Sequence, residues 1–181
     1  MNKGVIKIAE DHLHQKVEEL IEVYGDELLR VCYLYLKDIN LAQDALQDTY
    51  LNVFRSLGKF RGESSEKTWM MKITINVCKN YTKNYWNRNV IKLSNMPEIP
   101  YVEQFSKIVN DELLSTIMEL PIKSKEVILL YYYQEYKIKE IAEILNISET
   151  AVNKRLARAK AKLKKYLEAG DWDEEYKILY Q

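Results

Sequence analysis

Apolar residues along this chain recur at intervals of three and four almost throughout, and few stretches alternate. Val17, Leu20, Ile21, Tyr24, Leu28, Val31 and Tyr35 share one side of a helical wheel, predicting a helix over Val17–Leu36, either continuous or broken near Gly25. Ala42, Ala45, Leu46, Thr49, Tyr50, Val53 and Leu57 repeat likewise and predict an amphipathic helix over Asn40–Leu57. Gly58–Glu63 reads as a turn. Ser64 or Ser65 then caps a long helix running to about Trp86, with Trp69, Ile73, Val77 and Tyr81 facing inward. Lys92–Phe105 (KLSNMPEIPYVEQF) shows no period and holds two of the three prolines, the signature of a linker. Beyond it the pattern predicts helices over Ser106–Met118 and Lys125–Gln134, separated by a stop at Leu120–Pro121. The sum is an all-α protein of two small helical domains joined by a flexible linker.

The stretch Ile138–Leu167 (IKEIAEILNISETAVNKRLARAKAKLKKYL) is the most informative. Ile138, Ile141, Ala142 and Leu145 give a short helix one buried face. Asn146, Ile147 and Ser148 break the rhythm, and the Ser148 hydroxyl is placed to cap a second helix burying Ala151, Val152, Leu156, Ala159 and Leu163. That helix carries Lys154, Arg155, Arg158, Lys160, Lys162, Lys164 and Lys165, with no acidic residue between Thr150 and Tyr166. A helical hairpin with a solvated face is the plain alternative, but such a face usually mixes both signs. An acid-free run on the second helix points to a DNA-reading helix-turn-helix in the C-terminal domain.

The zero formal net charge hides segregation. Glu10–Leu51 holds ten acidic and three basic residues, a net of minus seven, whereas Lys59–Lys92 holds eight basic and two acidic, a net of plus six. Two basic blocks far apart in sequence suggest two contacts with a polyanion. In Phe60–Arg88 the cations Lys72, Lys79, Lys83 and Arg88 lie among Trp69, Tyr81, Tyr85 and Trp86, with Asn76, Asn80, Asn84 and Asn87 interspersed. Cations hold phosphates, aromatic faces stack on unpaired bases and amides read base edges, a mixture suited to melted or single-stranded DNA. Trp69 and Tyr81 have core positions as their alternative. On Asn40–Leu57, Asp44, Asp48, Leu51 and Arg55 form a stripe with Gln47 beside it, which is either a protein-docking face or an ordinary solvated one.

Cys32 and Cys78 stand alone in apolar patterns, and His12 and His14 fall near a terminus expected to fray. Buried reduced thiols are therefore expected, with no metal site and no cofactor. No nucleophile–base set or phosphate loop argues for an enzyme. No apolar run reaches membrane-spanning length and no signal-peptide core is present, which predicts a cytoplasmic protein.

Three stretches in order, DINLAQDALQDTYLNVFRSLGKF, FRGESSEKTWMMKITINVCKNY and ELPIKSKEVILLYYYQEYKIKEIAEILNISETAVNKRLARAKAKL, resemble the extracytoplasmic-function sigma factors of bacterial RNA polymerase. The resemblance spans roughly Val17–Leu167. It implies a region 2 domain over 17–88, a linker over 89–110 and a region 4 domain over 111–168, with an N-terminal extension (1–16) and an acidic tail (169–181) outside it. It further implies that Asp44, Gln47, Asp48 and Leu51 face core polymerase. Lys72, Asn76, Lys79, Asn80, Tyr81, Lys83 and Arg88 would serve the −10 element, with Asn76, Lys79, Asn80 and Tyr81 nearest the flipped-out bases. Glu149, Thr150, Asn153, Lys154 and Arg158 would contact bases or phosphates of the −35 element, with Arg155 and Lys160 clamping the DNA backbone. The implied partners are core RNA polymerase, promoter DNA and a cognate anti-sigma factor, often membrane-bound. Two departures stand out. NYTKNYWNRN replaces the family's usual run of arginines, which implies a weaker duplex-side grip or one shifted to Lys83 and Arg88. Lysine also replaces arginine at positions such as Lys154, where the case for bidentate guanine reading is weaker. The rival reading from the residues is a stand-alone helix-turn-helix regulator with a dimerisation or sensing domain; a helical protein-interaction module is the plainer one.

Overall fold

A computed structural model describes residues 3–86, 116–117 and 119–168, with side chains described within 12–83, 116–117 and 119–165. The predicted Lys92–Phe105 linker, the acidic tail and nearly all of the Ser106–Met118 helix lie outside the described residues. Among those that are described there is no strand, and the chain divides into two compact units, Met1–Val90 and Ile91–Gln181.

The first unit is built from α1 (Lys3–Leu36), α2 (Ile39–Leu57) and α3 (Glu66–Trp86), each packed on the other two. Helix α1 is continuous through Gly25. A side-chain carbon there would meet the Tyr50 hydroxyl at 2.7 Å, so the glycine serves the close approach of α2 and breaks nothing. Residues 3–16, expected to fray, are helical too: His14 lies 4.7 Å from the Phe54 ring and Lys16 pairs with Glu66 at 3.0 Å. The helix stops at Lys37, whose φ of 58° is left-handed. Asp38 then caps α2, its carboxylate accepting from the Leu41 N–H at 3.0 Å. Two residues thus suffice to reverse the chain.

Helix α2 buries Ala42, Ala45, Thr49 and Val53, small residues that let its neighbours come close. Ser65 caps α3 by accepting from the Thr68 N–H at 3.1 Å, as anticipated. The inward face of α3 differs from the expected one. Thr68, Met70, Met71, Thr74, Ile75, Val77 and Cys78 are buried, whereas Trp69, Ile73 and Tyr81 are only half-buried. The reason is that α3 meets both α1 and α2, so a wide arc is covered and no single stripe carries it. Trp69 is neither deep core nor free; its ring rests on Phe60 at 4.8 Å. The Cys32 and Cys78 thiols meet in the core with sulfurs 3.6 Å apart, and hydrogen bonding to Cys32 together with burial pushes the Cys78 thiol up.

In the second unit, Pro121 opens α4 (Ile122–Ile128) by accepting backbone bonds from Ser124 at 2.8 Å and Lys125 at 3.0 Å. The helix therefore begins earlier than Lys125, and it ends in a π-helical turn, Leu129–Tyr133, closed by Gln134 N–H donating to Leu129 at 3.1 Å. Helix α5 (Ile138–Leu145) buries Ile141, Ala142, Ile144 and Leu145, with Ile138 at the margin. Asn146 terminates it in the left-handed region (φ 54°, ψ 52°), a conformation that asparagine tolerates better than most residues. Ile147 N–H closes the end on Ala142 at 3.0 Å. Ser148 then caps α6 (Glu149–Glu168), accepting from the Ala151 N–H at 3.2 Å. Val152, Leu156, Ala159 and Leu163 are buried, while Ala151 is only half-buried.

Candidate functional site

The recognition helix α6 sorts its basic residues into two groups. Glu149, Thr150, Asn153, Lys154 and Arg158 are all exposed, the last four turned away from the buried stripe and Glu149 at the helix start. Spacings of three and four bring Thr150, Asn153, Lys154 and Arg158 onto one face, a surface able to enter a major groove with amide, hydroxyl and cationic ends foremost.

Two residues expected as backbone clamps are engaged elsewhere. Arg155 turns inward, its Nη1 3.4 Å from Oε2 of Glu126, a carboxylate on α4 only 3% exposed. Lys160 sits with its ammonium 5.5 Å from the centre of the Tyr132 ring, a cation–π contact onto the π-helical turn. Neither Glu126 nor Tyr132 is detectable from the sequence as a partner of α6, because each acts across elements.

In the first unit, Lys72, Asn76, Lys79 and Lys83 recur at intervals of four, three and four along α3, with Asn80 beside them. Asn76, Asn80 and Lys83 are exposed; Lys72 and Lys79 are half-buried. Arg88 lies outside the described residues. The outcome is a polar stripe of amide and ammonium groups, the chemistry needed to hold a phosphodiester strand and probe base edges.

Asp44, Gln47, Asp48 and Leu51 are all exposed on one face of α2, and Leu51 leaves 52% of its surface to solvent. An apolar side chain so placed amid carboxylates suits a docking surface. The two faces meet where the Tyr81 hydroxyl donates to Asp48 Oδ2 at 2.8 Å. Burial, then that hydrogen bond and the charges of Asp48 and Asp44, push the Tyr81 phenol up to about 12. Tyr81 is thus held neutral and oriented by the acidic helix, a pairing that no linear pattern reveals.

Ion pairs fix the start of α3 against α1. Lys16 meets Glu66 at 3.0 Å and Lys67 meets Glu27 at 3.0 Å, so part of the segregated charge is spent inside the unit. Among the described residues no group of three His, Cys, Asp or Glu side chains is arranged to hold a metal, and no helix is long and apolar enough to cross a membrane.

Comparison with known proteins converges on one family. The family model for sigma-70 region 2 matches residues 20–88, and that for sigma-70 region 4 matches residues 110–163. The RNA polymerase sigma factor YlaC of Bacillus subtilis strain 168 is 31% identical over 156 residues, spanning 82% of this chain and 90% of its own length. The ECF RNA polymerase sigma factor SigM of the same organism is 26% identical over 162 residues, spanning 87% of this chain and 99% of its own. Among solved structures, the sigma factor RpoE in complex with the anti-sigma factor NepR, from Bartonella quintana, has the same fold, with a TM-score of 0.69 at 16% identity over 85% of this chain and 98% of that one. By these matches the chain belongs to the extracytoplasmic-function sigma factors of bacterial RNA polymerase.

Proposed function

We propose that this sigma factor works by positioning two DNA readers on core polymerase, with binding energy as its only currency and no covalent step. The region 2 domain (17–88) docks through Asp44, Gln47, Asp48 and Leu51. Its stripe of Lys72, Asn76, Lys79, Asn80, Tyr81, Lys83 and Arg88 holds the non-template strand of the −10 element. Unstacking those bases costs a few kcal/mol per step, offset by capture of the extruded bases. The region 4 domain (111–168) places α6 in the −35 major groove, with Glu149, Thr150, Asn153, Lys154 and Arg158 toward the DNA. The linker (89–110) joins the two readers, and the protein acts in the cytoplasm, where polymerase and promoter are.

The observation that carries this reading is the exposure, on one face of a doubly capped helix-turn-helix, of Thr150, Asn153, Lys154 and Arg158, with Glu149 exposed at the helix start. Regulation by a cognate anti-sigma factor is the accompanying proposal, supported by the likeness to a sigma factor solved with such a partner. The acidic α2 face and the basic α3 stripe offer a masking protein both signs of charge to complement.

Filter binding separates this reading from a stand-alone regulator. Duplex promoter DNA should be retained weakly by the protein alone and strongly when core polymerase is added, with affinity falling steeply as salt rises. Tight retention by the protein alone, on a palindrome and without polymerase, would favour the regulator.

A further inference from the structure

Asp48 and Tyr81 stand on different helices, α2 and α3, and serve different partners, yet a hydrogen bond of 2.8 Å joins them. The two ends are not equally held. Asp48 is exposed on the outer face of α2, and among the described residues Tyr81 is the one hydrogen-bonding or ion-pairing partner of its carboxylate. Tyr81 is half-buried on α3, which packs against both α1 and α2. Of the two side chains the ring is the better anchored, so the bond acts chiefly on the carboxylate.

Asp44 lies one turn before Asp48, and like charges at that spacing repel on a helix. Both acids also bear on the Tyr81 hydroxyl. Burial first, then the hydrogen bond and charge of Asp48 and the charge of Asp44, push the phenol up to about 12, so it remains a donor at neutral pH. A donor in the field of two acids offsets part of their repulsion and draws Asp48 toward itself. The bond occupies Oδ2, and a carboxylate accepts at both oxygens, so Oδ1 is left for an incoming cation beside exposed Gln47 and Leu51. A side chain already held in its bound rotamer loses less freedom on association, an advantage of about 2- to 10-fold in affinity.

We propose that Tyr81 is a positioning residue for polymerase docking as well as a member of the DNA stripe: its hydroxyl holds the Asp48 carboxylate by Oδ2 and presents Oδ1 to a cationic side chain of core polymerase. This rests on the reading that Asp48 lies on the polymerase-docking face.

The test is the affinity of the full-length protein for purified core polymerase without DNA, where contact between the ring and a strand does not enter. Tyr81→Phe keeps the ring and removes only the hydroxyl. It should weaken core binding about 2- to 10-fold. In an Asp48→Ala background no carboxylate remains to be positioned, so the double variant should bind core as Asp48→Ala alone does. That cycle separates positioning from a general loss of packing, which would lower the affinity equally in both backgrounds and overturn the proposal. Equal affinity of the wild type and Tyr81→Phe would overturn it too. So would tighter binding by Tyr81→Phe, which would make the bond a latch that polymerase has to open. An Asp48→Ala variant that binds core like the wild type would instead refute the docking assignment itself, and the inference with it.

Discussion

Helices α3 and α6 are both basic, both capped by serine and both expected to meet DNA, yet they are built on different plans. Helix α6 buries one stripe, Val152, Leu156, Ala159 and Leu163, at intervals of four, three and four. Everything opposite is free to carry cations, and the amphipathic period is plain. Helix α3 is wedged between α1 and α2 and buries a broad arc that includes Thr68 and Thr74. Thr74 can sit in the core because its hydroxyl donates to the Met70 carbonyl at 2.9 Å; Thr68 is satisfied by Ser65. A helix with one neighbouring face advertises its orientation, whereas a wedged helix with locally satisfied threonines conceals it.

The difference predicts where truncation hurts. Met71→Ala and Ile75→Ala, inside the covered arc, should each cost about 2–5 kcal/mol. Ile73→Ala, at the margin, should cost less than about 1.5 kcal/mol, because part of its side chain stays in water throughout. Urea unfolding of the three variants measures this. Equal losses would restore the stripe through Trp69, Ile73 and Val77 and break the comparison.

Next in size are the two faces that meet at Tyr81. Asp48→Ala should weaken polymerase binding by ~10- to 150-fold, the usual range for losing a hydrogen bond to a charged group. Asn80→Ala should leave polymerase binding intact and lower strand capture by ~5- to 150-fold, the range for losing contact with one base. Co-purification with core and permanganate probing of open complexes separate the two. If both variants lost the same function, the docking face and the DNA stripe would be one surface.

Smaller effects come from the caps. Ser65→Ala and Ser148→Ala should each cost about 1 kcal/mol, since each serine hydroxyl accepts from an otherwise unpartnered N–H at a helix start. A cap that proved silent in thermal melts would show that packing alone fixes that helix start.

The mildest effect is on alkaline stability. Burial pushes Tyr50 up to about 12, and burial with the Asp48 contact does the same for Tyr81. Unfolded tyrosine ionises near about 10, so the contribution of both neutral rings is complete below that and is lost as pH rises through about 12. Unfolding midpoints should fall between pH 10 and pH 12, and less steeply in Tyr81→Phe. An identical fall in wild type and Tyr81→Phe would show that the bond to Asp48 does not influence stability.

What the sequence disclosed follows the same division. The helix-turn-helix was legible because propensity, caps and period agree: Asn146 ends one helix, Ser148 starts the next, and a single apolar stripe marks the inside. The all-helical architecture and the exposed Leu51 were legible for the same reason. The inward face of α3, the outcome at Gly25 and the contact of Arg155 with Glu126 were not. Each depends on what a second element places opposite, and a one-dimensional pattern carries no record of that. Gly25 leaves the helix either continuous or broken until Tyr50 stands over it, and the contact of Arg155 with Glu126 shows only once α4 and α6 are packed together.

The central claim is that this chain gives core polymerase its choice of promoter. Run-off transcription from a promoter library, with purified core in the presence and absence of the protein, tests it most directly. The account predicts new start sites that share −35 and −10 elements at a fixed spacing and that vanish with Asp48→Ala or Asn80→Ala while folding is intact. Unchanged start sites on adding the protein would contradict it.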